Sequence, residues 1–168
     1  MSLCIGSFNL RRFGDDADRD IPLIARIITS SDSDIMAIQE ASGELAVTRL
    51  CQELGTDKWT FSHAAADGFG FAFLWKRTLL SLTAGKTPIS VWDSAFAARL
   101  KRPPYVGFFG FNNNVVALIN IHIVGNAPYS EDKQEEFHCL CESYSPRLST
   151  RPAVLRLPVM RSCLETII

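Results

Sequence analysis

Apolar runs broken by short polar stretches set out the elements of this chain. Residues 3–9 are an apolar run that predicts a buried strand. Ile21, Ile24, Ile27 and Ile28 recur at helical spacing up to residue 30, and Asp18 or Asp20 with Pro22 supplies a start. Ile35–Gln39 predicts a short strand. Residues 43–54 predict a second helix, with Leu45, Leu50 and Leu54 on or near one face and Gly55 as its stop. Residues 59–63 and 69–75 predict a hairpin. In it Phe69, Phe71, Phe73 and Trp75 share one face, and Gly70, Ala72 and Leu74 take the other. That aromatic stripe is expected in the core, not as a base-stacking platform. One or two strands are expected within 79–91 and a polar connection over 93–101. A second hairpin follows, from Tyr105–Phe111 and Val115–Ile123 around Asn112-Asn113-Asn114. Residues 130–142 predict a helix opened by Ser130, with Glu131 and Asp132 in its first turn. The tail 143–168 has prolines, arginines and no clear period, and reads as irregular and non-native in character.

Composition narrows the function classes. A length of 168 residues and 47% hydrophobic content suit one domain with an ample core. The net charge of -1 provides no global field toward nucleic acid or membrane. Residues 143–168 hold Arg147, Arg151, Arg156 and Arg161 against Glu165 alone, so the rest of the chain is net acidic. An acidic body is compatible with a divalent-cation enzyme and a poor fit to nucleic-acid binding by charge alone. No apolar run approaches a membrane span. Nothing that reads as a leader precedes the first strand, so an intracellular location, cytoplasm or nucleus, is expected. The cysteines Cys4, Cys51, Cys139, Cys141 and Cys163 show no metal-ligand spacing. Free thiols in a reducing compartment account for them best.

Three polar side chains stand where apolar runs surface. Asn9 closes Ile5–Asn9, Glu40 closes Asp34–Glu40, and His122 sits near the end of Val115–His122. Gathered at one rim of a sheet, a carboxylate and a carboxamide would suit Mg²⁺ or Ca²⁺, and an imidazole would suit proton transfer or phosphate contact. Each residue alone has a plainer reading: a turn residue, a helix-start charge, a satisfied core histidine.

The segments IGSFNLRRFG at 5–14, RIITSSDSDIMAIQE at 26–40, FGFAFLWKR at 69–77, RPPYVGFF at 102–109 and VVALINIHI at 115–123 occur in a telling order. Their order and gaps resemble the endonuclease/exonuclease/phosphatase superfamily, and within it the deoxyribonuclease I-like proteins. The likeness covers residues 3 to 137. It implies an α+β fold, a four-layer sandwich of two facing sheets with outer helices. Residues 1–142 would be the N-terminal part of that domain. The family's later Gly-Asp-x-Asn turn and Ser-Asp-His have no counterpart, because the last Gly, Asp and His are Gly125, Asp132 and His138. The C-terminal half is therefore expected to be missing. A half-sandwich leaves a sheet face uncovered, which implies weak folding, self-association or dependence on a partner.

The resemblance also implies roles. Glu40 binds the divalent metal, Mg²⁺ or else Ca²⁺ or Mn²⁺. Asn9 supports that metal or the scissile phosphate. His122 is the catalytic acid, and Arg102 contacts phosphate. Three departures bear on this. Phe69 stands where the family places a glutamate that orients the histidine. Ala41-Ser42 replace an arginine that enters the minor groove. Asp67 replaces a tyrosine that packs on DNA. The expected function is metal-dependent hydrolysis of DNA or another phosphoester, impaired in this chain. The alternatives are a non-enzymatic interaction module or remnant, and a small-molecule phosphoesterase.

Overall fold

The computed structural model of the protein describes residues 2–15, 18–66, 69–83 and 104–122. The elements are β1 (Ile5–Phe13), α1 (Ile21–Ser30), β2 (Ile35–Ala41), α2 (Glu44–Leu54), β3 (Trp59–Ala66), β4 (Phe69–Lys76), β5 (Ser81–Leu82), β6 (Tyr105–Phe111) and β7 (Asn114–Asn120). One sheet has the order β1-β2-β4-β3 and the other β5-β6-β7. β1 and β2 run parallel, joined through α1, whereas β4 runs antiparallel to both β2 and β3.

The two-residue period of β4 builds two cores at once. Ala72 and Leu74 face one way, into a cluster with Ile28 of α1, Val47 and Leu50 of α2, and Met36 and Ile38 of β2. Phe71, Phe73 and Trp75 face the other way, against Tyr105, Phe109 and Leu118 of the second sheet. Phe73 stacks on Tyr105 at 5.3 Å between centroids, and Phe109 meets both Phe73 and Trp75 edge-on. The layers are therefore helices, sheet, sheet. This is an α+β sandwich, and the aromatic stripe is its inter-sheet core.

Local signals explain the helix ends. The Asp20 side chain accepts from the Leu23 N–H at 2.9 Å, which caps α1. Gly43 has no side chain to cap α2, and Asp15 does so from just past the end of β1, accepting from Ala46 N–H at 2.7 Å. Gly55 ends α2 at φ 93°. Asn112 and Asn113 both have positive φ, 48° and 62°, as the tight β6–β7 turn demands.

Several boundaries differ from the sequence expectation. β1 does not stop at Asn9 but continues through Arg11 and Arg12 to Phe13, because a bulge turns this polar pair outward while Leu10 and Phe13 stay buried. β7 ends at Asn120, so Ile121 and His122 lie just past the ladder. Of the strands expected over 79–91, Ser81–Leu82 is described. The connection 93–101, the helix 130–142 and the tail 143–168 lie outside the described residues. Among the described residues no helix is long and apolar enough to cross a membrane. Cys4 and Cys51 are free thiols.

The rim where β2 begins is held by charge. Lys76 Nζ donates to Asp34 Oδ1 at 3.0 Å, and Asp34 Oδ2 accepts from Cys4 N–H at 2.9 Å. Burial pushes the Asp34 carboxyl up, but the Cys4 N–H and the Lys76 ammonium together outweigh it, and the group lies below its ordinary 3.8. A carboxylate with a depressed folded value stabilises the fold above its unfolded value and ceases to do so as pH falls through the folded one. Asp34→Asn is therefore expected to cost about 1 kcal/mol at neutral pH. Urea titrations at a series of pH values should show the gap to wild type closing below pH 3.8. A gap that stays constant through that range would contradict the assignment.

Candidate functional site

The opposite rim of the first sheet is where the chain departs from regular pairing. Asn9 pairs with Gln39 and Phe13 with Ala41, so Leu10, Arg11 and Arg12 of β1 stand opposite Glu40 alone. Arg11, Arg12 and Glu40 all have positive φ, at 45°, 58° and 59°. Non-glycine residues rarely hold this left-handed conformation, and where they do the surroundings must enforce it. Here the enforcing contacts are visible. Asn9 Oδ1 accepts from Arg11 N–H at 2.8 Å, and Glu40 Oε2 accepts from Arg12 N–H at 3.0 Å. Arg19 holds the Arg11 carbonyl through its guanidinium.

The bulge aims Glu40 along the rim. Its Oε1 accepts from Asn9 Nδ2 at 3.0 Å and lies 3.5 Å from His122 Nε2. Both side chains are largely sheltered, with 16% of Glu40 and 19% of His122 exposed. Phe69 presents to the His122 ring at 6.1 Å and 79°, an edge-on contact. The structure thus brings Asn9, Glu40 and His122 together on three different strands or strand ends. Arg102 and Asp67 lie outside the described residues.

Sequence reasoning passed over the residues beneath the site. Asn120, 1% exposed, reaches from β7 into the first sheet. Its Nδ2 donates to Ile38 O at 2.8 Å and Ala72 O at 3.1 Å. Its Oδ1 accepts from Gln39 Nε2 at 2.7 Å. Gln39 Nε2 also donates to Ser7 Oγ at 3.1 Å. The signal was present, since Gln39 and Asn120 are amides inside apolar strands, where each must find partners.

Ala41 is pinned as well. Its carbonyl is contacted by His63 Nε2 at 2.8 Å. It also passes so close to Gly70 that a Cβ there would lie 1.7 Å from the oxygen. The residue after Glu40 is thus fixed from β3 and β4 together.

The model of the Endonuclease/Exonuclease/phosphatase family matches residues 6–159, most of the chain. The chain belongs to this family. No curated protein matches its sequence. Solved structures with the same fold include a humanized TDP2 of D. rerio, with 12% identity and a TM-score of 0.63 over 85% of this chain. A mannosyl-6-phosphatase of Bacteroides thetaiotaomicron matches at 16% identity and TM-score 0.60 over 91%. ANGEL2, a 2',3'-cyclic phosphatase, matches at 15% and 0.58 over 86%. At such identities the likeness is one of fold. The chain spans 59%, 62% and 48% of the length of these three.

Proposed function

We propose that this protein is a divalent-metal phosphoesterase of its family, with Glu40 as metal ligand and His122 as proton donor. The observation that carries the proposal is the Glu40–His122 approach on a bulge whose backbone is held in a costly conformation. Among the described residues no group of three or more His, Cys, Asp and Glu could hold a metal by itself. The site offers one carboxylate and one carboxamide. That donor set fits Mg²⁺ or Mn²⁺, which are commonly held by one or two carboxylates plus substrate phosphate, better than Ca²⁺ with its six to eight oxygens. When bound, such a cation stabilises charge on a phosphoryl oxygen.

The chain's own groups have distinct tasks. Asn9 Nδ2 orients the Glu40 carboxylate, and the Arg12 N–H fixes its second oxygen. The Nε2 of His122, facing Glu40, is the nitrogen from which a proton would pass to a leaving oxygen. Phe69 shields the ring but cannot accept from Nδ1–H, so His122 lacks from this neighbour the orientation a carboxylate would give. Arg102 is assigned a phosphate contact on resemblance alone. The substrate is DNA or a small phosphoester. The phosphatase names of two structural neighbours, and Ala41-Ser42 in place of a DNA-contacting arginine, favour the small ester.

The test is Mn²⁺ binding by electron paramagnetic resonance, with hydrolysis of bis-p-nitrophenyl phosphate alongside. Glu40→Gln should weaken Mn²⁺ at least about ten-fold. His122→Gln should leave Mn²⁺ bound and remove the residual hydrolysis. Unchanged Mn²⁺ affinity in Glu40→Gln would refute the metal role.

A further inference from the structure

Gln39 and Asn120 meet 2.7 Å apart in the space between the two sheets, one residue before Glu40 and two before His122. From this geometry we infer that the Gln39–Asn120 amide pair is the positioning device of the site. It sets the register between sheets at which the carboxylate and the imidazole come within 3.5 Å. The inference rests on the proposed Glu40–His122 site and adds residues that touch neither metal nor substrate.

Apolar packing holds the sheets together but is non-directional. The rings of Phe73, Trp75, Tyr105 and Phe109 stack or meet edge-on without naming a rung of the ladder. Hydrogen bonds add that direction, since they weaken steeply with distance and angle. Asn120 grips the carbonyls of Ile38 and Ala72, which are direct partners in the β2–β4 ladder. It therefore locates β7 against one rung of the first sheet. Its remaining oxygen is taken by Gln39, which Ser7 steadies from β1. Three strands of one sheet are thus tied to one residue of the other. The next rung outward is the site itself. Leaving any of these amides unpaired in a buried place is costly, so the arrangement has few substitutes.

Two variants test this. Gln39→Met keeps the two donations from Asn120 to the first sheet, so it should fold, but it cuts the tie nearest Glu40. Gln39→Met with Asn120→Leu removes both amides together, so neither is left facing the other unpaired, at the cost of the two donations to Ile38 O and Ala72 O. In each, the inter-sheet nuclear Overhauser contacts between the His122 and Phe69 rings should weaken or vanish. Mn²⁺ affinity should fall about ten-fold while the melt remains cooperative. If both variants keep the ring contacts and the wild-type Mn²⁺ affinity, the inference is overturned. Should the double variant fail to melt cooperatively, Gln39→Met decides alone. Loss of the ring contacts with Mn²⁺ binding insensitive even to Glu40→Gln would remove the metal reading and leave the positioning role standing.

Discussion

Gly70→Ala is expected to destabilise the protein by roughly 3 kcal/mol or more and to disturb the Glu40 rim at the same time. The cause is backbone, not side chain. A methyl at residue 70 would lie 1.7 Å from Ala41 O, 2.6 Å from Ala41 C and 3.2 Å from Ala64 O. No rotamer can relieve contacts with main-chain atoms, so the end of β2 must move. That end cannot move freely, because Ala41 O is held by His63 and the preceding residue is already in the left-handed region. Gly110 provides the control. Its nearest neighbour to an added Cβ is Ser81 Oγ at 3.2 Å, a side chain that can turn away. Gly110→Ala should cost far less. Chemical denaturation of the two variants, with Mn²⁺ binding alongside, checks this. Equal stabilities for both would show that the close approach of β2 to β4 is unimportant.

Phe73→Ala should be comparably severe, at about 3–5 kcal/mol. Phe73 is fully buried and lies at the centre of the inter-sheet core, between Tyr105 and Phe109. Truncation removes both ring contacts and leaves a cavity that neighbours on rigid strands cannot readily fill. Phe73→Leu, which restores part of the volume, should recover much of the loss. Thermal melts of the pair check it. A Phe73→Ala chain as stable as Phe73→Leu would mean that the sheets are held together chiefly elsewhere.

The hydrophobic pattern made most of this fold legible. The alternation through Phe69–Trp75 announced two faces, and both exist as separate cores. Ile21, Ile24, Ile27 and Ile28 announced α1, although Ile27 is exposed, and Asp20 caps the helix. The pattern failed at β1. Arg11 and Arg12 are charged and exposed, so a rule of alternation ends the strand before them. Of the hydrogen bonds that carry the strand onward, the one from Arg11 to Asn9 is local, but the one from Arg12 reaches Glu40, 28 residues away. Asn9, Glu40 and His122 could be singled out from position and family likeness, but not the distances between them. Those depend on a bulge, on Gly70 and on a buried amide pair, none of which any local pattern encodes. Asn120 is a case in point, since an amide in an apolar run shows that a partner exists without showing which.

The bulge has a consequence beyond the site. Among the described residues β1 forms one edge of the four-stranded sheet, and a sheet edge is a template on which another strand can add. Arg11 and Arg12 interrupt that template twice over. Their left-handed backbone turns the N–H and C=O groups out of the repeating direction, and their exposed charges repel an identical edge brought alongside. A kink that aims a carboxylate therefore also makes this stretch of β1 a poor template for strand addition.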